Sequence, residues 1–179
     1  MARLIVNADD FGLTSGVNRA IVELHQAGVL TSTTLMATAS ATDEAIGLAR
    51  ANPKLGVGCH VVLVDGEPVL PREQVSSLID QKTGRFPPKL TTFLWRLFTG
   101  RIRTAEMEAE AAAQMARLRD RGIRLTHIDT HKHTHMFPPV LRPVLRAARA
   151  AGIGAVRNPF EPEWAIRATP RAGLVRCAE

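Results

Sequence analysis

The chain has 179 residues, of which 45% are hydrophobic and 22% charged, and its formal net charge is +6. This length fits one domain of ordinary size, and no apolar run approaches the roughly 20 residues that cross a bilayer. The basic charge would suit nucleic acid, but tyrosine is absent and aromatic residues make up only 4%, so stacking platforms for bases are scarce. We therefore expect a globular, cytoplasmic protein without a nucleic-acid partner.

The N-terminal residues and the cysteines agree with that expectation. The first residues form a short apolar stretch that meets an acidic pair at once, which predicts a first strand and not a signal peptide. Cys59 and Cys177 lie far apart without a spacing motif, so we expect reduced thiols. The basic surface leaves peripheral contact with anionic lipids open, although no amphipathic anchor stands out.

Strand-like runs alternate with helical ones along the chain. Strands are predicted over residues 3–8, 31–37, 55–63, 124–129 and 154–157. Helices are predicted over residues 15–27, 42–51, 91–98, 104–121 and 139–151, with Ser15 as the first N-cap. Residues 65–89 are rich in proline and glycine, which predicts a long loop that could cover a site.

This alternation predicts an α/β fold with a mostly parallel sheet, either open or closed into a barrel. In such folds the chemistry gathers at the C-terminal ends of the strands. Three polar clusters fall there: residues 7–10 after the first strand, His60 on the third strand, and residues 127–135 on and after the fourth strand. Their convergence on one rim would assemble a site.

The most informative cluster is the histidine row, residues 127–135, in which His127, His131, His133 and His135 alternate with other residues and Asp129 completes the pattern. On an extended strand all five side chains would face one way. Positions two apart are separated by roughly 6.6–6.8 Å, whereas Zn–N bonds are about 2.0–2.1 Å. At most one or two members can therefore bind one ion, unless the chain turns sharply.

The other two clusters could complete a metal site. Asp9 and Asp10 diverge on a strand, so one can bind a metal while the other acts as a base, although an acidic pair before Gly12 also suits a turn or helix cap. His60 alone would more often be a hydrogen-bonded core residue. A carboxylate and two histidines leave open positions for water and substrate, which suits hydrolysis of an amide or ester.

Four motifs together resemble one known family: residues 7–12, 31–34, 58–60 and 127–138. They are similar in order and spacing to the YdjC-like (ChbG–HpnK) carbohydrate deacetylases, and look closest to the branch associated with hopanoid biosynthesis. The resemblance spans residues 3–157. It implies a distorted, TIM-like (β/α) barrel that removes an N-acetyl group from an amino sugar with one divalent ion, Mg²⁺ or Zn²⁺.

The resemblance also implies roles for individual residues. The metal ligands would be Asp10, His60 and His131, and Asp9 would act as the base. For the other members of the row the resemblance implies only supporting or proton-donor roles, and we favour His133 as the proton donor to the leaving amine. Supporting roles fall to the remaining members of the row, His127, Asp129 and His135.

The chain departs from the family in its length, since members usually run to about 250 residues or more. We therefore expect residues 1–157 to form an incomplete barrel, shortened at its C-terminal end, and residues 158–179 to form an irregular tail. The expected partner is an acetylated amino-sugar substrate. The sequence does not decide between a monomer and a homodimer. A metal phosphoesterase and an inactive truncated sugar- or metal-binding fragment are the alternative functions.

Overall fold

The computed structural model describes residues 4–160, which form an α/β fold with a parallel β-sheet. The four strands lie in the order β1-β2-β3-β4 and all neighbours are parallel. The strands are β1 (Asn7–Phe11), β2 (Ser32–Leu35), β3 (Gly56–Val61) and β4 (Leu125–Thr130). The helices are α1 (Ser15–Gln26), α2 (Thr42–Ala51), α3 (Leu90–Phe98), α4 (Thr104–Asp120) and α5 (Pro138–Ala150).

The core lies between the sheet and its helices. Leu35, Cys59 and Ile128 are fully buried on neighbouring strands, and Met107 and Val144 are fully buried on α4 and α5. The thiol of Cys59 is free within the described residues, and burial raises its pKa well above the ordinary range. Cys59 is therefore a core side chain. It points to the face of β3 opposite to that of the next residue, His60.

The first strand differs from its prediction. The predicted strand at residues 3–8 was wrong in its bounds, because β1 runs over Asn7–Phe11 while Leu4 and Ile5 are 81% and 75% exposed. The strand continues through the acidic pair because Asp9 and Asp10 find partners far away in sequence, Arg157 for the first and His60 and His131 for the second. The first helix is capped by Thr14 and not by Ser15, since the extended Thr14 accepts a hydrogen bond from the Val17 backbone.

The predicted fifth strand is reduced to one parallel bridge between Ile128 and Val156. Its backbone nevertheless pairs with β4, because Ile128 N donates to Ala155 O and Arg157 N donates to Ile128 O, both at 3.0 Å. Arg157 therefore lies beside the C-terminal half of β4.

The predicted long loop packs against α4. Glu110 of α4 accepts hydrogen bonds from the backbone N–H groups of Val69 and Leu70, and Gln114 binds both backbone groups of Val62. Near its start, Asp65 pairs with Lys132 at 2.9 Å, so this loop also contacts the histidine row.

Several sequence-based expectations fall on the C-terminal residues. Residues 161–179, including Cys177, lie outside the described part, so the division between residues 1–157 and 158–179 stays a prediction. Within residues 4–160, no helix combines the length and apolar character needed to cross a membrane.

Candidate metal centre

Asp10 lies in an irregular end of β1. The pairing of β1 with β2 shifts register between Ala8 and Phe11, and Asp10 adopts a left-handed backbone with φ 63°. Such bulges redirect a side chain and occur next to functional sites. The following turn is held by Asn18, whose buried carboxamide oxygen accepts from Gly12 N at 2.7 Å. This local geometry aims the Asp10 carboxylate across the strand ends.

His60 lies on β3 and is 1% exposed. Its Nδ1 is 2.6 Å from Asp129 Oδ1 on β4, and the Thr34 hydroxyl of β2 donates to the other oxygen of Asp129 at 3.1 Å. A carboxylate at this distance requires Nδ1 to carry the proton. The Nε2 lone pair of His60 is thereby directed away from Asp129, toward Asp10.

His131 begins the turn that follows β4. The strand ends at Thr130, and residues His131–Met136 form a tight turn in which Lys132 and His133 are left-handed, with φ 54° and 49°. Non-glycine residues in this region cost about 1–3 kcal/mol each and concentrate at functional sites. The turn takes the later histidines off the strand direction and leaves His131 facing Asp10.

These three side chains form a compact triangle. Asp10 Oδ1 is 3.2 Å from His60 Nε2 and 3.0 Å from His131 Nδ1, and the two imidazole nitrogens are 3.3 Å apart. Ligands bound at about 2.1 Å to one ion, at angles between 90° and tetrahedral, are separated by about 3.0–3.4 Å. The triangle therefore fits one small divalent cation, as the donor chemistry also suggests.

The electrostatics of the triangle favour positive charge at its centre. Burial lowers the pKa of His60, but hydrogen bonds to Asp10 and Asp129 outweigh it and raise this pKa to about 9. Hydrogen bonds from His131 and His60 hold the pKa of Asp10 well below its usual range. Burial raises the pKa of Asp129, yet the bond to His60 and its other partners lower it overall. The carboxylates thus stay ionised, and a cation could replace the proton on His60.

Asp9 points to a different partner from Asp10. Its Oδ1 lies 2.5 Å from Nη1 of Arg157 and accepts a second bond from Asn7 Nδ2 at 2.8 Å. Arg157 Nη1 is also 3.5 Å from Asp129 Oδ2. The expected divergence of the two adjacent aspartates is therefore present in the structure.

The histidine row is not on one face, and the extended arrangement considered for all five side chains was wrong. His127 and Asp129 lie on β4, where the His127 ring approaches Ser32 at 3.4 Å and Thr126 at 2.8 Å. Burial lowers the pKa of His127 and so favours its neutral form. The sharp turn after His131 separates the remaining members.

The last two histidines lie within the turn, beyond His131. His135 Nδ1 is 2.8 Å from the Thr130 hydroxyl, and its Nε2 is 3.1 Å from the carbonyl oxygen of Arg157. The His133 ring lies 6.1 Å from that of His135, and its Nδ1 is buried without a hydrogen-bond partner among residues 4–160. Both ring nitrogens of His135 are thus engaged in structural contacts. The Nδ1 atom of His133, by contrast, has no hydrogen-bond partner within the described residues.

Sequence reasoning missed two residues of this centre, Thr34 and Arg157. Thr34 belongs to a motif that carried the family resemblance, but nothing in the sequence pairs it with Asp129. Arg157 ends the predicted fifth strand, and its place at a strand end was the available signal. Its partner Asp9 is 148 positions away, so no local pattern could indicate the contact.

Comparison with known proteins identifies the family of this chain. Residues 3–177 match the sequence profile of the family described as YdjC-like protein. The chain belongs to the YdjC-like family.

Several relatives of this chain are named carbohydrate deacetylase. The one from Brevibacillus brevis is 45% identical over 131 residues, which cover 73% of this chain and 49% of the relative. That from Thermoanaerobacter pseudethanolicus is 33% identical over 168 residues, covering 94% of this chain and 65% of the relative. The chain thus spans about half the length of several relatives that it matches.

A solved structure supports the fold. The crystal structure of an Enterococcus faecalis V583 protein, provisionally named a cellobiose-phosphate cleavage protein, superposes with a TM-score of 0.78 at 35% identity. The superposition covers 89% of this chain and 60% of the other. The predicted α/β class is confirmed, and the parallel sheet is consistent with the distorted, TIM-like barrel expected of YdjC-like proteins.

Proposed function

We propose that this YdjC-like chain is a metal-dependent hydrolase that removes an N-acetyl group from an amino sugar. The observation that carries the proposal is the Asp10–His60–His131 triangle, with Asp129 orienting His60 from behind. A carboxylate bound to the far nitrogen of a ligand histidine is typical of metal sites in proteins. Relatives named carbohydrate deacetylase support a sugar amide as the bond that is cleaved.

Each residue then has a defined part in the hydrolysis. Asp10, His60 and His131 would hold the ion, which when bound supplies a Lewis acid for the water and for the acetyl oxygen. Asp9 would take a proton from the attacking water. His133 would donate a proton to the departing amine, so that the amide C–N bond breaks and acetate and a free amino sugar form.

The substrate and the ion are narrower parts of the same proposal. The substrate would be an acetylated oligosaccharide or an acetylglucosaminyl lipid of the hopanoid type, and the ion would be Mg²⁺ or Zn²⁺. Imidazole ligands suit zinc, whereas a carboxylate serves either ion.

Acetate release by the purified 179-residue chain tests this function. Diacetylchitobiose and an acetylglucosaminyl lipid are each incubated with the protein loaded with Mg²⁺ or with Zn²⁺, and p-nitrophenyl phosphate serves as a phosphoesterase probe. We expect acetate from a sugar substrate and no phosphate. Asp10→Asn and His131→Ala should lose acetate release and metal binding together, while Asp43→Asn on the surface of α2 should keep both.

Two outcomes would contradict the proposal. Acetate release that persists in Asp10→Asn and His131→Ala would show that the triangle is not the catalytic centre. Phosphate release without acetate release would assign the same centre to phosphoester hydrolysis.

A further inference from the structure

We infer that Arg157 is a positioning residue that holds the Asp9 carboxylate in its reactive orientation beside the metal centre. This inference rests on the proposed function, because it gives Asp9 the role of base. It concerns a residue for which neither the sequence motifs nor the family resemblance provides a role.

The contact spans the whole sheet. Arg157 lies on the far side of β4, whereas Asp9 lies on β1 at the opposite edge. In a flat sheet four strand spacings would separate their backbones by roughly 19 Å, farther than the two side chains can bridge. The 2.5 Å contact between them therefore crosses the inner side of a strongly curved sheet, where the metal triangle also lies.

The guanidinium is held in place from its own backbone outward. Arg157 N donates to Ile128 O at 3.0 Å, and the carbonyl oxygen of Arg157 is bound by His135 Nε2. His135 is in turn fixed by Thr130 at 2.8 Å. This gives the last histidine of the row a function, since it anchors the residue that contacts Asp9.

The bonds at Asp9 are one-sided. Both Arg157 and Asn7 engage Oδ1, and among residues 4–160 no hydrogen bond is made to Oδ2. A carboxylate held by one oxygen keeps its other oxygen in a defined direction, ready to accept a proton. Arg157 also approaches Asp129 at 3.5 Å. The same guanidinium therefore contacts both Asp9, the proposed base, and Asp129, the carboxylate that orients His60.

The test compares the wild-type chain with Arg157→Ala. Arg146→Ala is the matched control, because Arg146 also pairs with a carboxylate, Glu108 at 2.7 Å, on the outer surface of α4 and α5. We expect Arg157→Ala to lower kcat by up to about 100-fold, as a misplaced catalytic group does, with little change in KM. Its affinity for Zn²⁺ or Mg²⁺ should be retained, and added guanidinium chloride at low concentration should restore part of kcat. The control should keep wild-type values.

Three results would overturn the inference: an unchanged kcat in Arg157→Ala, a parallel loss of metal affinity, or no recovery with guanidinium. If Arg157→Ala does not fold, Arg157→Gln is judged by the same kcat and metal-affinity criteria. If the wild-type chain itself releases no acetate, the proposed function fails for this chain, and crystal structures of wild type and Arg157→Ala decide the positioning role. A reoriented Asp9 beside an intact triangle supports that role, and an unchanged Asp9 contradicts it.

Discussion

The two ring nitrogens of His60 have different partners, and this division explains why a buried histidine can serve a metal. Nδ1 meets Asp129 at 2.6 Å, and Nε2 faces Asp10 at 3.2 Å. Removing one partner would change both the proton position and the ring orientation.

Asp129→Asn tests that dependence. We expect metal affinity to fall by about 10- to 100-fold, because partners behind a ligand histidine contribute this much. Isothermal titration with Zn²⁺ measures the affinity, and circular dichroism checks the fold. Asp43→Asn, whose carboxylate is 81% exposed on α2, is the control. Equal affinity in wild type and Asp129→Asn would remove the orienting role from Asp129.

The raised pKa of His60 predicts how the metal-free protein responds to pH. This pKa moves from 6.5 to about 9 on folding, so protonated His60 stabilises the folded state fully below about pH 6.5. That stabilisation is lost as the pH rises through about 9. With a chelator present, urea unfolding should show a free energy of unfolding that declines over this window. The decline should be weaker in His60→Asn, and equal slopes in the two proteins would contradict the assignment.

At the scale of elements, helices were predicted closely and the ends of strands were not. The helix α2 has its predicted bounds, residues 42–51, because its apolar spacing and acidic first turn are local features. The strand β1 extends past its predicted end to Phe11, because Asp9 and Asp10 are stabilised by partners far away in sequence. The turn after Thr130 contains two left-handed residues that are not glycine, so composition offered no turn signal.

The first part of the loop over residues 65–89 depends on Glu110, a buried carboxylate of α4. We expect Glu110→Ala to lower the free energy of unfolding by about 2 kcal/mol, because the half-buried donors Val69 N and Leu70 N lose their acceptor and a fully buried donor without a partner costs about 1–3 kcal/mol. Urea unfolding measures the loss, and hydrogen exchange should be faster at these two amides.

A surface residue of the same helix provides the comparison for that experiment. Glu108 pairs with Arg146 and is 37% exposed, so Glu108→Ala should cost at most about 1 kcal/mol. Similar losses in the two variants, or unchanged exchange at Val69 and Leu70, would show that Glu110 does not anchor the loop.

For the whole molecule, the metal centre joins three distant stretches of chain. Asp10, His60 and His131 come from the ends of β1, β3 and β4, so an ion that binds only the folded chain should stabilise it. At 100 times Kd the gain is about 2.7 kcal/mol.

Thermal unfolding with and without metal measures that gain. We expect Zn²⁺ or Mg²⁺ to raise the Tm of wild type and of His25→Ala, in which a histidine of α1 outside the centre is removed. His131→Ala should lose the shift. An equal shift in His131→Ala would place the stabilising ion elsewhere.

The alternation of strands and helices, and with it the parallel α/β class, can be derived from the amino-acid sequence, because periodicity and helix boundaries depend on neighbouring residues. The sequence also placed Asp10 and His60 at strand ends, where such folds carry their chemistry. Spacing could not choose among the histidines of the row, and the selection of His131 came from family resemblance.

How these residues meet depends on the three-dimensional fold. The turn at Lys132 and His133 leaves His131 with Asp10 and brings His135 to Thr130 and Arg157. The curvature of the sheet brings Arg157 to Asp9 across 148 positions. Both depend on long-range packing of strands around the inner face, which no short segment of the chain encodes.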